Sequence, residues 1–205
     1  MRNTLIIVIN LILLNSCQNI DKNLNYEETE LEVLQEITNI FLNDIHFKHI
    51  AEGLIMDAEF NGEPKPTIDS LRNNLVLQVY ISDGLPPISQ EYKDETWMFE
   101  DNYTDSNLTN RFYSIINSKK FSEIGYRKID RTKLKLDKLY IHTKSSQPEL
   151  KKDEEYAILK FSRICFDSNF ETGVIAIDYR HGVDGGTSGG YHMAFLIEKK
   201  ELQKR

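Results

Sequence analysis

Tyr156-Ala157-Ile158-Leu159-Lys160-Phe161-Ser162-Arg163-Ile164-Cys165-Phe166, then Val174-Ile175-Ala176-Ile177-Asp178-Tyr179, a glycine-rich segment from Gly182 to Gly190 and a closing run from Tyr191 to Ile197 decide the fold. Runs of strand length separated by turn residues predict an antiparallel meander. Working outward, Leu75, Leu77, Val79 and Ile81 alternate with Val76, Gln78, Tyr80 and Ser82, the period of a half-buried strand. Asp83-Gly84-Leu85-Pro86-Pro87 ends it, because prolines lack the ladder donor.

Helical spacing marks two other segments. Leu31, Leu34, Phe41 and Ile45, with Ile37 close to the same stripe, predict a helix over 26–44. Asn25 is placed to cap it and Glu28 to close the capping box, while Glu27, Glu28, Glu30 and Glu32 suit the positive end of the helix dipole as a solvated cluster. Leu108, Phe112 and Ile115 or Ile116 predict a second helix from Asp105 or Ser106 to Ser118. Residues 46–74 have no clean period, and Asn61 to Pro66 has loop chemistry. Lys133 and Lys135 interleave with Leu134 and Leu136, which predicts a strand with one charged face. Ser89 to Thr104, around Trp97, reads as a surface loop pinned by aromatic packing. The expected architecture is α+β: a mostly antiparallel sheet with an amino-terminal helix and a second helix packed on it.

With 205 residues the chain is long enough to bury a core without cross-links. Its formal net charge of -7 argues against a nucleic-acid partner. Two cysteines, Cys17 and Cys165, give no disulfide framework. Met1-Arg2-Asn3-Thr4 places one positive charge before the apolar run Leu5 to Leu14, the pattern of a cleaved secretory signal and too short to span a bilayer.

Leu14-Asn15-Ser16-Cys17 resembles the lipobox of bacterial lipoproteins, with Asn15 a departure from the usual small or aliphatic residue. The resemblance implies a diacylglyceryl group on the Cys17 thiol and cleavage before it, which leaves the new amine open to acylation. It divides the chain into a signal peptide (1–16), a tether (17–25) and a single α+β domain (26–205). Two or three acyl chains hold durably where one holds marginally. Gln18 in place of an aspartate implies the outer membrane by the same resemblance. The terminal pattern from Phe161-Ser162-Arg163-Ile164 onward is similar to that of small, uncharacterised Gram-negative lipoproteins, although their loop cysteines and late tryptophan are missing here. That resemblance implies an envelope location and no particular activity.

Several motifs offer chemistry. Five of the ten glycines lie in Gly182 to Gly190, where a backbone anion nest could form. The Gly-Lys-Ser/Thr ending of a phosphate loop is missing. Gly186-Thr187-Ser188-Gly189-Gly190 spells G-x-S-x-G, but a nucleophile elbow needs a helix after Ser188, and the residues that follow alternate as a strand. His181 and His192 flank the segment with Asp178 and Asp184 near, yet His181 is in phase with Ile175, Ile177 and Tyr179 while His192 is out of phase with Tyr191, Met193, Phe195 and Ile197. His46 and His49 could share a helix face, and His142 stands alone. Cys165, between Ile164 and Phe166, reads as a buried small hydrophobe. The expectation is a non-catalytic envelope binding module without cofactor, metal or catalytic residues, lipidated at Cys17, whose partners are the membrane and another envelope component. The alternatives are a hydrolase using the 182–190 segment and its flanking histidines, or an immunity-like lipoprotein whose acidic surface suits a basic toxin.

Overall fold

The computed structural model describes residues 26–88, 106–144, 155–183 and 186–198. The predicted signal peptide, the tether, Asn25 and Trp97 lie outside them. The fold is α+β, with helices on both faces of a mixed sheet.

The amino-terminal helix is longer than its sequence pattern predicts. α1 (26–39) runs into a π-helical turn at Ile40–His46 and then into α2 (Phe47–Phe60). Buried positions recur every fourth residue through Glu30, Leu34, Thr38, Leu42, His46 and Ile50. In a regular helix each such step would turn the stripe by about 40° away from the sheet. The wider i→i+5 turn, in which Phe47 N–H reaches Leu42 O, takes that rotation back. A purely α-helical reading therefore loses the stripe near residue 45. α3 (Ile68–Asn74), capped by the Thr67 hydroxyl accepting from Ser70 N at 3.1 Å, also falls where no period was legible.

Strand β1 (Leu77–Ile81) is followed by the short β2 (Gly84–Leu85), helices α4 (Ser106–Ile116) and α5 (Lys119–Glu123), and β3 (Arg127–Lys128), which pairs with β2. Residues 131–133 form a 3-10 turn, capped by Asp130, and the chain reaches strand conformation only at β4 (Tyr140–His142). The lysine-faced strand predicted over 133–136 is therefore absent, because Asp130 accepts Thr132 N–H and closes a turn there. The meander follows as β5 (Glu155–Phe161), β6 (Cys165–Phe166), β7 (Thr172–Val183) and β8 (Gly186–Glu198). Its pairings are antiparallel, while β1 runs parallel to both β4 and β5.

Period-2 alternation splits the apolar residues between the faces. Leu77, Val79, Ile81, Ala157, Leu159, Phe161, Ile175, Ile177 and Tyr179 pack under α1 and α2. On the other face Cys165, Val174, Ala176 and Ala194 pack with Phe112, Ile115 and Ile116 of α4, as the second predicted helix requires.

β5 and β6 lie along one edge of β7, and their register slips by one residue between them. Ser162 N–H still reaches Ala176 O, but Arg163 N–H turns to Pro86 O and Ile164 N–H to the Glu30 carboxylate at 2.9 Å. Glu30 is 0% exposed and also receives Arg163 Nε at 2.8 Å and Arg127 Nη1 at 2.7 Å. Tyr26, one helical turn earlier, donates its hydroxyl to Ile164 O. The structure thus corrects the reading of Glu30 as part of a solvated cluster: its charge is matched by two guanidinium groups inside the fold. Removing one member of such a buried set strands the others. Glu30→Ala should cost about 3–5 kcal/mol in urea unfolding, whereas Glu28→Ala, at an exposed position, should stay within about 0.5 kcal/mol.

The terminal glycines have a steric reason. A Cβ on Gly190 would stand 2.3 Å from Tyr179 O and 3.0 Å from Arg180 Cα, so the strands would have to part. Gly190→Ala should destabilise by about 1–3 kcal/mol. Gly53→Ala, in α2 with nothing within 4 Å, should stabilise by about 0.5–1 kcal/mol, both read from thermal melts.

Candidate functional site

The glycine-rich segment is mostly strand. β7 continues to Val183, β8 begins at Gly186, and the register shifts between His181 and Gly182 so that Ser188 is the extra residue of a bulge. β8 then runs unbroken to Glu198, and the helix a nucleophile elbow needs after Ser188 is absent. His181 pairs with Gly189, and His192 pairs with Asp178. Alternation sends them to opposite faces, His181 with Tyr179 toward the amino-terminal helix and His192 with Asp178 and Ala176 toward the face that carries α4. They cannot serve one centre. Asp184 lies outside the described residues.

On its own face His181 joins a second group that sequence spacing did not reveal. Its ring is 4.7 Å from that of His49 and 6.5 Å from that of His46, and it stacks on Tyr179 at 5.7 Å. His46 sits in the last position of the π turn and is fully buried. Tyr140 donates its hydroxyl to Leu42 O, the carbonyl that the π turn presents, and stands 3.3 Å from His46 Nδ1. His46 Nε2 and Tyr179 Oη are buried without a hydrogen-bond partner among the described residues.

Burial lowers the His46 pKa to about 3, and His181 and His49 reinforce the shift. His181 is lowered by burial and by His49. Glu155, the first residue of β5 and paired with Val183 at this end of β7, is raised by burial. Among the described residues no group of three histidine, cysteine or acidic side chains is arranged to hold a metal ion.

The opposite face carries a cleft of about 390 Å3 beside β2. Pro86, Pro87, Ile88 and Ala176 supply an apolar lining, and Lys160, Asp178 and His192 form a polar wall. Asp178 is 15% exposed and accepts from Arg180 Nε at 3.0 Å, with Lys160 Nζ farther off at 3.8 Å. The two serines at the cleft are occupied elsewhere. Ser162 Oγ accepts Ala176 N–H at 2.9 Å and donates to Arg163 O, and Ser82 Oγ bridges the Gly84 backbone. Neither is a base-activated nucleophile, which would need its proton directed at an imidazole. Lys160 and the Pro86 to Ile88 turn were missed as site residues. Asp178, the one charge inside the apolar run Val174 to Tyr179, was the available signal.

Other candidates have structural roles. Cys165 is a buried free thiol whose pKa burial pushes up, so it is no poised nucleophile. Arg163, the cation nearest to it in sequence, bonds Glu30 instead. His142 Nε2 lies 3.3 Å from Leu134 O at the end of β4. Cys17 lies outside the described residues.

No family profile, curated protein sequence or solved structure matches this chain.

The histidine group makes stability depend on pH with a definite sign. A folded-state pKa below the unfolded value means that folding favours the neutral ring, so stability is full above about 6.5 and is lost as pH falls toward 3. Glu155, with its raised pKa, acts in the opposite direction. Urea midpoints measured from pH 7 to 4 should fall for the parent chain and fall less steeply for His46→Asn. Parallel slopes would show that His46 does not set the acid limb.

Proposed function

We propose that this chain is a lipid-anchored protein of the outer membrane, acting as a non-catalytic binding module toward another envelope component. The observation that carries the location is the sequence Leu14-Asn15-Ser16-Cys17 behind a charged start and an apolar run too short to span a bilayer. Cys165 is buried, so Cys17 is the thiol that suits acylation. Among the described residues no helix is long and apolar enough to cross a membrane. The binding role rests on the cleft beside β2, which combines an apolar lining with a polar wall while the hydroxyls of Ser82 and Ser162 are engaged in backbone hydrogen bonds. Such a site can orient a ligand, and neither of its described serine hydroxyls is activated to attack it.

Cys17→Ser should abolish incorporation of labelled palmitate and shift the protein from the membrane to the soluble fraction of expressing cells. Retention of both label and membrane association by this variant would overturn the anchor.

A further inference from the structure

We infer that the cleft beside β2 binds a small amphipathic carboxylate, an apolar body ending in one anionic group. The inference rests on the binding-module reading and specifies its ligand. Pro86 and Pro87 have no N–H, and with Ile88 and Ala176 they offer a wall that gains by excluding water and provides few hydrogen bonds. That wall suits the apolar body. The polar wall has the opposite character, and its balance decides the sign of the ligand. Asp178 faces two cations, Lys160 and Arg180, so the three groups carry one net positive charge.

Arg180 takes the close contact with the carboxylate, at 3.0 Å. Lys160 Nζ at 3.8 Å is attracted by Asp178 without being hydrogen-bonded to it. Lys160 is 46% exposed, so its ammonium can give N–H donors to an incoming anion at little desolvation cost. A cationic ligand would meet an aspartate already matched twice. A single ammonium suits a monoanion. Phosphate sites typically draw on a helix N-terminus, an arginine fork or a nest of backbone N–H groups, and the described residues lining this cleft supply none of these. The volume of about 390 Å3 lies at the small end of ligand pockets, enough for a body the size of one or two amino-acid residues. Two sources share this chemistry, a free carboxylic acid and the carboxy terminus of a peptide.

The test uses the full chain in non-ionic detergent, titrated calorimetrically with N-acetyl-leucine, N-acetyl-leucinamide and the tetrapeptide Ala-Ala-Ala-Leu. The acid should bind and the amide should not. Lys160→Gln should weaken binding of the acid at least tenfold, and Asp178→Asn, which removes the competing carboxylate, should tighten it, with circular dichroism unchanged in both. Tighter binding of the tetrapeptide than of N-acetyl-leucine would assign the site to peptide termini, and equal binding to free acids. Equal affinity for acid and amide, unchanged affinity in a folded Lys160→Gln, or no binding of any probe would overturn the inference. Cys17→Ser should leave the cleft unaltered, so loss of the anchor and loss of carboxylate binding are read separately.

Discussion

The buried carboxylate of Glu30 is the constraint on which the other elements depend. A charge withdrawn from water this completely is tolerable only if both oxygens are hydrogen-bonded and the sign is balanced nearby. Arg163, Arg127 and the Ile164 N–H meet that demand. The Ile164 N–H is available because the strand alongside β7 breaks between Phe161 and Cys165. What looks like a defect in the sheet is the place where the sheet is joined to the helix. Tyr26 and its contacts with Ile164 O and the Arg163 guanidinium extend the same junction by one helical turn. Arg127 connects the β2–β3 pair to it through Glu27 and Glu30.

From this junction the helix must follow the sheet as far as His46, and the π turn lets it do so. The turn presents Leu42 O to Tyr140 and places His46 beside the end of β7. The buried histidine is thus part of the geometry that keeps a long helix in contact with a twisted sheet. The other face is built differently. α4 covers the end of β7 near Val174, while Asp178, Lys160 and His192 line the cleft farther along. A stable, apolar-packed half adjoins a polar half, and a ligand cleft at their border has both kinds of wall without further elaboration.

Much of this was legible in the sequence. The alternation in β1 and β8 and the apolar runs of β5 and β7 marked the strands, and the phase difference between His181 and His192 foretold their separation. The spacing of Phe112, Ile115 and Ile116 found α4. Other features were hidden for physical reasons. α2 lacked a readable stripe because a π turn resets the helical phase at residues 40–46. Glu30 looked like one more solvated acid at a helix start, since its arginines lie far away in the chain. The parallel partnership of β1 with β4 and β5 depends on residues whose pairing no local pattern encodes. The cleft was only half visible, through Asp178, because its other wall comes from the turn after β1.

The separation of Glu30 from its partners has a consequence for the order in which the chain can fold. Arg127, Arg163 and Ile164 lie 97, 133 and 134 residues downstream of Glu30. An emerging chain can form α1 at once, but the carboxylate on that helix's apolar face is only partly matched until the last quarter of the sequence supplies Arg163 and Ile164. Contacts of such long range are reached slowly, because the loop must close before it is rewarded. The same residue that secures the finished fold therefore completes its set of hydrogen bonds only when Arg127 and the Arg163–Ile164 break are both in place.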